Sequence, residues 1–212
     1  MLEYKKKFIQ YALECEVLKF GQFQLKSGRI SPYFFNTGLF NTGSKLDNLG
    51  KFYAQALIES RLKTDIFYGP AYKGIPLVST VAIAYSNMKQ DIPFVFNRKE
   101  AKDHGEGGLL VGSPLKGRTL IIDDVITAGT SVRESVEIIN NAGAQLAGVL
   151  IALDRQEKGE HDKSAVQEVS ERFNIPVISI ISLSDIVEFL ELNPSSQDQL
   201  KIIKDYQLQF GV

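Results

Sequence analysis

Residues 120–131 read Leu120-Ile121-Ile122-Asp123-Asp124-Val125-Ile126-Thr127-Ala128-Gly129-Thr130-Ser131. A continuous apolar run ends in two acids, a loop of small residues follows, and a helix is predicted from Ser131 onward. A short run without alternation fits a strand buried on both faces of a parallel sheet. The free N–H groups at the start of the next helix can hold a phosphate, and the helix dipole favours its charge. Gly129 lets the backbone approach such a ligand, and Thr127, Thr130 and Ser131 add hydroxyl donors. A phosphate alone would repel Asp123 and Asp124. The pair makes sense beside a ligand that also presents hydroxyls or a cation, as a ribose 5-phosphate does. The plainer alternative is an ordinary helix start, with Thr or Ser as N-cap and Asp complementing the dipole. A Walker loop is excluded, because no Gly-Lys-Ser/Thr ending is present.

The same rhythm extends in both directions. Helices are predicted over residues 2–19, 45–61, 75–88, 131–142 and 163–173, with two more closing the chain. Strands are predicted over 65–68, 93–97, 119–123, 146–153 and 177–181, and a hairpin over 22–36. Alternating strands and helices give an α/β class with a mainly parallel sheet flanked by helices. Ligands of such sheets bind at the carboxyl ends of the strands, which puts the chemistry just after Tyr68, Asn97, Ile122 and Leu153. No repeat, linker or composition shift divides residues 1–212, so one domain is expected. The early hairpin (about 20–40) and the C-terminal segments are expected to form a small hood over the strand ends.

Four further stretches carry chemistry. Gly69-Pro70-Ala71-Tyr72-Lys73-Gly74-Ile75-Pro76 follows a strand and opens a helix. It suits a pyrophosphate cradle of backbone N–H groups plus one ammonium, with a strained backbone at Ala71-Tyr72; the alternative is a turn with a solvated lysine. Arg98-Lys99-Glu100-Ala101-Lys102-Asp103-His104-Gly105-Glu106-Gly107-Gly108 gathers three cations and a histidine in seven residues, then three glycines in four positions. It reads as too polar and glycine-rich for a strand. A surface loop or a mobile lid over a polyanion (about 98–110) both fit. Leu25 to Asn36 contains Lys26 and the adjacent aromatics Phe34 and Phe35, suited to a planar ring or to a hydrophobic hood strand. Leu153-Asp154-Arg155-Gln156-Glu157 ends an apolar strand, with Arg155 able to fork onto a carboxylate.

The 120–131 block resembles the ribose-phosphate signature of the type I phosphoribosyltransferases, and residues 98–106 resemble the catalytic loop of the orotate phosphoribosyltransferases. The other motifs stand in the same family's order from about residue 20 to 160. The resemblance implies the type I phosphoribosyltransferase fold and transfer of a 5-phosphoribosyl group from 5-phospho-α-D-ribose 1-diphosphate (PRPP) to orotate, with Mg²⁺ as cofactor. It implies PRPP contacts from Lys26, Tyr72, Lys73, Arg98, Lys99, Lys102, His104 and the run Asp123, Asp124, Val125, Ile126, Thr127, Ala128, Gly129, Thr130, Ser131. Orotate contacts would come from Phe34, Phe35, Thr127 and Arg155, and the catalytic groups would be Lys102, His104, Asp123 and Asp124. Mg²⁺ would be held mainly through PRPP and water. A homodimer is implied, with Arg98, Lys102 and His104 acting in the neighbouring subunit's site and Lys99 in its own. Arg155 adds a chemical argument for orotate, which carries a ring carboxylate that uracil, hypoxanthine and adenine lack.

Composition is compatible with this. Apolar residues make up 44% and charged residues 23%, a globular profile. The formal net charge of −1 offers no basic excess for nucleic acid or a membrane surface. A non-catalytic PRPP-sensing regulator would need such a surface or an added DNA-binding segment. The single cysteine, Cys15, lies in an apolar-periodic stretch and reads as a buried structural thiol, which suits a reducing cytoplasm. His161 falls outside the motifs and reads as a surface residue.

Overall fold

The computed structural model describes residues 1–25, 27–102, 108–127, 129–159 and 162–212, with the backbone but not the side chains of 101 and 102. The chain opens with helix α1 (Glu3–Glu14), the antiparallel pair β1 (Leu18–Gln24) and β2 (Ile30–Phe35), and helix α2 (Gly43–Ser60). Then follow β3 (Ile66–Gly69), α3 (Gly74–Met88), β4 (Phe94–Lys102), β5 (Gly108–Gly112), β6 (Arg118–Ile122), α4 (Thr130–Asn141) and β7 (Gln145–Asp154). The last elements are α5 (Ala165–Phe173), β8 (Val177–Ser182), α6 (Leu183–Glu191) and α7 (Gln197–Phe210). The central sheet has the order β5-β4-β3-β6-β7-β8. All its pairings are parallel except β4 with β5.

Two apolar layers follow from strand geometry. Successive side chains point to opposite faces, so Phe67, Leu120, Ile122, Leu150 and Ala152 join one core with residues of α1, α2, α3, α6 and α7. Ile66, Tyr68, Ile121, Val149 and Ile151 join the other with Val132 and Ile139 of α4 and Val169 of α5. Each fully buried Ile, Leu or Val contributes roughly 1.5–3 kcal/mol. Helices on both faces are why the strands are apolar at every position instead of alternating.

Two boundaries differ from the sequence reading. The first helix stops at Glu14, because Glu16 takes a left-handed conformation (φ 58°) and the chain then pairs with β2. Residues 18–24 are therefore strand, and the hairpin begins four residues before the predicted 22. The stretch read as too polar for a strand is partly strand: β4 continues through Arg98 and Lys99 to Lys102, and β5 returns beside it. Its ladder comes from main-chain pairing in an antiparallel hairpin, which polar side chains do not prevent. Residues 103–107 lie outside the described residues. Gly69 at the end of β3 pairs with Phe96, so β4 runs six residues beyond that end, a reach of roughly 20 Å at strand rise.

Candidate active site

The strand order turns at the centre of the sheet. From β3 the chain crosses to β4 on one side, and from β6 it crosses to β7 on the other. This is a topological switch point, where the loops diverge and leave a crevice. Residues 70–73, 123–127 and 129 line it.

The first loop is held by close backbone approach. A Cβ on Gly69 would lie 2.3 Å from the Gly74 carbonyl oxygen, and one on Gly74 would lie 2.5 Å from Pro70 Cδ. Only glycine at both positions lets α3 begin so near the strand end. The Gly74 N–H donates to Pro70 O at 2.9 Å, and the Ala71–Tyr72 peptide bond is cis. Asn97 on β4 braces the loop: its Oδ1 accepts from Ala71 N–H at 2.9 Å and from Tyr68 O–H at 2.9 Å. Its Nδ2 donates to Arg98 O at 3.1 Å. Tyr72 is exposed, and Lys73 reaches across the crevice to Asp124 Oδ2 at 2.6 Å.

Both acids of the second loop are buried, each 7% exposed. Asp123 Oδ1 accepts from Asp124 N–H at 2.9 Å, and its Oδ2 accepts from Ser131 O–H at 3.0 Å. Tyr53 of α2 donates to the Asp123 carbonyl at 2.9 Å and fixes the strand end. Asp124 Oδ1 accepts from Val125 N–H at 2.8 Å, while Oδ2 takes Lys73 and, at 3.0 Å, the hydroxyl of Thr37. Burial, and then the neighbouring Asp124 charge, push the Asp123 carboxyl up to about 6. Hydrogen bonds from Asp124 N–H and Ser131, and the Lys73 ammonium, act the other way.

Helix α4 begins without a side-chain cap. Its N-cap is Gly129 in the left-handed region (φ 66°), and Thr130 and Ser131 are its first two helical residues. The capping alternative for this block is thereby replaced by an open helix start. A pocket at this end is lined by Asp123, Ile126, Thr127, Gly129 and Ser131. A second lies between the two loops and includes Ala71, Asn97, Lys99, Thr130 and Ser131. The sheet thus brings together Tyr72, Lys73, Lys99, Asp123, Asp124 and residues 125–127 and 129–131. Lys26, Ala128, His104 and the Lys102 side chain lie outside the described residues; Arg98 bonds Gly108 O at 3.3 Å from the base of the β4–β5 arm.

On the other side of the crevice, strand alternation separates the two phenylalanines. Phe34 is 39% exposed and stacks on Phe23 at 5.4 Å. Phe35 turns inward, edge-on to Phe8 at 6.4 Å. Arg155 stands just past the end of β7 with its guanidinium 4.4 Å over the Tyr33 ring. Thr37, Tyr33, Ser31, Asn97 and Glu157 were not marked as site residues by the sequence. A polar residue closing an apolar strand is a usable signal for Asn97. Glu157 stands two residues after Arg155 in the same stretch, and the others reach the site only through tertiary packing.

Among the described residues, no group of three or more His, Cys, Asp or Glu side chains is placed to hold a metal ion. The donors present are the two adjacent aspartates, which suits a hard cation that takes most of its ligands from substrate oxygens and water. No helix among the described residues is long and apolar enough to cross a membrane.

A switch-point crevice with an open helix start, paired acids and a lysine loop fits the phosphoribosyltransferase class, and residues 42–180 match the family model described as phosphoribosyl transferase domain. An orotate phosphoribosyltransferase of Aliivibrio fischeri (strain MJ11) is 58% identical over 213 residues, covering 100% of both chains. One of Thiobacillus denitrificans is 54% identical over 212 residues, again with 100% of both covered. A crystal structure of the Francisella tularensis orotate phosphoribosyltransferase superposes with a TM-score of 0.89 at 44% identity, covering 97% of this chain and 100% of that one. The chain belongs to the orotate phosphoribosyltransferase family.

Proposed function

We propose that this protein transfers the 5-phosphoribosyl group of PRPP to orotate, giving orotidine 5'-phosphate and pyrophosphate in de novo pyrimidine (UMP) biosynthesis. The observation that carries the reading is the crevice itself: two buried aspartates beside an open helix start, faced by a lysine loop, with a guanidinium at the far end. The helix start and the hydroxyls of Thr127, Thr130 and Ser131 bind the 5-phosphate. Asp123 and Asp124 take the ribose hydroxyls. As the bond from the anomeric carbon to pyrophosphate breaks, its electron pair leaves with the pyrophosphate and positive charge builds on the ribose. The ionised aspartates offset that charge, and Lys73 moves from Asp124 to the leaving group. Lys99 borders the same space, and Arg98, Lys102 and His104 complete the cationic surround from the β4–β5 arm. The acidic ring nitrogen of orotate forms the new bond and needs no strong protein base.

Mg²⁺ fits the donor set. It would be held mainly through PRPP and water, with Asp123 and Asp124 beside it, and would supply neutralising charge for the pyrophosphate. Arg155 receives the orotate carboxylate, beside the Phe34 and Phe35 backbone and Thr127. We assign the segment of about residues 20–40 and the C-terminal segments to a hood over the strand ends, and residues 98–110 to a lid whose Arg98, Lys102 and His104 serve the second subunit of a homodimer while Lys99 serves its own. The small-molecule substrates and the lone cysteine suit a cytoplasmic enzyme.

The test is a spectrophotometric assay of orotate with PRPP and Mg²⁺, run beside uracil, hypoxanthine and adenine. Orotate consumption that requires both PRPP and metal, with the other bases inert, is the expected result. Folded, PRPP-binding protein that consumes another base, or none, refutes the assignment.

A further inference from the structure

The segment after β7 builds a cluster around one carboxylate. Glu157 Oε1 accepts from Arg155 Nη2 at 2.7 Å and from Tyr33 O–H at 2.9 Å, and its Oε2 lies 3.6 Å from Arg29 Nη1. The Glu157 side chain is 9% exposed. Arg155 Nη2 also reaches Ser31 Oγ at 3.2 Å, and the guanidinium covers the Tyr33 ring. The bonds to Glu157 and Ser31 thus run through a single nitrogen of Arg155, Nη2, and leave Nε and Nη1 outside both bonds.

The main chain of Glu157 is fixed as well. It forms an antiparallel bridge with Gly211, and the flanking residues bond the same C-terminal segment: Lys158 N–H to Phe210 O at 2.8 Å and Val212 N–H to Gln156 O at 3.1 Å. Arg29 stacks on Phe210 at 4.5 Å and donates to Lys158 O at 3.2 Å. Two guanidinium groups therefore share one largely shielded carboxylate, and the cluster keeps one excess positive charge.

We infer that Glu157 is a positioning residue for base recognition: it locks the Arg155 guanidinium so that its remaining edge stays presented to the ring carboxylate of the substrate. This rests on the reading of orotate as the base. A long arginine without such a partner samples several rotamers, and ordering it would cost free energy at every binding event. The excess positive charge matches a monoanionic carboxylate and gives a neutral base nothing to pair with.

The experiment measures KM for orotate and for PRPP separately, with kcat, in Arg155→Ala, Glu157→Ala and Glu157→Gln. Gln keeps an acceptor at the Oε1 position. Glu157→Ala should raise KM for orotate roughly tenfold and leave KM for PRPP within about twofold, and Glu157→Gln should recover much of the loss. Parallel changes in both KM values, or no recovery by Gln, overturn the inference. If Glu157→Ala does not fold, Glu157→Asp, which withdraws the carboxylate by one methylene, must show the same selective rise, and parallel changes there also overturn it. A wild-type protein that ignores orotate, or an Arg155→Ala variant with unchanged KM for orotate, sinks the functional reading itself. A selective loss in Arg155→Ala with unaffected Glu157 variants sinks only the role of Glu157.

Discussion

Asp123 shows how one residue sets function against stability. Its carboxyl is raised from 3.8 to about 6 by burial and by the Asp124 charge. Between about pH 4 and pH 6 the folded protein keeps a proton that the unfolded chain has lost, so stability falls as pH rises through that window. Above it, the ionised group costs on the order of 3 kcal/mol. The site tolerates the charge because the reaction uses it to offset a cationic ribose. Asp123→Asn removes the charge at nearly constant shape. We expect urea denaturation at about pH 7.5 to find this variant more stable by roughly 1–3 kcal/mol, a gain that shrinks toward zero near pH 4, with turnover falling steeply. An Asn variant no more stable at pH 7.5 than at pH 4, relative to wild type, would show that burial does not strain Asp123.

Between elements, the glycines of the 69–74 loop carry the geometry. The Cβ of Gly69→Ala would strike the Gly74 carbonyl oxygen at 2.3 Å and Val78 Cγ1 at 2.6 Å, neither of which is the far end of a flexible side chain. The start of α3 must shift, and Lys73 with it. The expected cost is about 1–3 kcal/mol in unfolding free energy together with a higher KM for PRPP. Gly43→Ala is the control: a methyl group there, at the start of α2, would meet nothing within 4 Å, so stability should change by less than about 1 kcal/mol and KM not at all. Equal effects of the two substitutions would refute the close-packing account. The strands ending at Tyr68, Ile122 and Leu153 were legible because a run buried on both faces must be apolar throughout. β5 and the end of β4 were not, because main-chain pairing in a hairpin arm leaves no apolar pattern to read. The end of α1 was hidden for a related reason: Val17 and Leu18 continue the apolar face, and only the left-handed turn at Glu16 diverts them into the hairpin.

At the scale of the whole molecule, the phosphate half of the crevice was legible and the base half only partly so. Contiguous motifs after β3 and β6 mark the first, since each loop is one stretch of chain. Thr37 on Asp124, and Tyr33 and Ser31 around Arg155, come from distant stretches, and packing alone unites them. The β4–β5 arm belongs to this scale too. It occupies the edge of the sheet and runs six residues past the paired end of β3, so the main chain at Lys102 lies roughly 20 Å along the strand from that end. If the arm serves a partner's crevice in a homodimer, Lys102→Ala and Asp124→Ala disable different halves of one composite site. Mixing the two inactive variants in equal amounts and allowing exchange makes about half of the dimers mixed. Each mixed dimer then has one site with Asp124 from one subunit and Lys102 from the other, so activity should return to about a quarter of wild type. An arm that closes over its own subunit leaves every site broken, and verified mixed dimers without activity would therefore assign the arm to its own crevice.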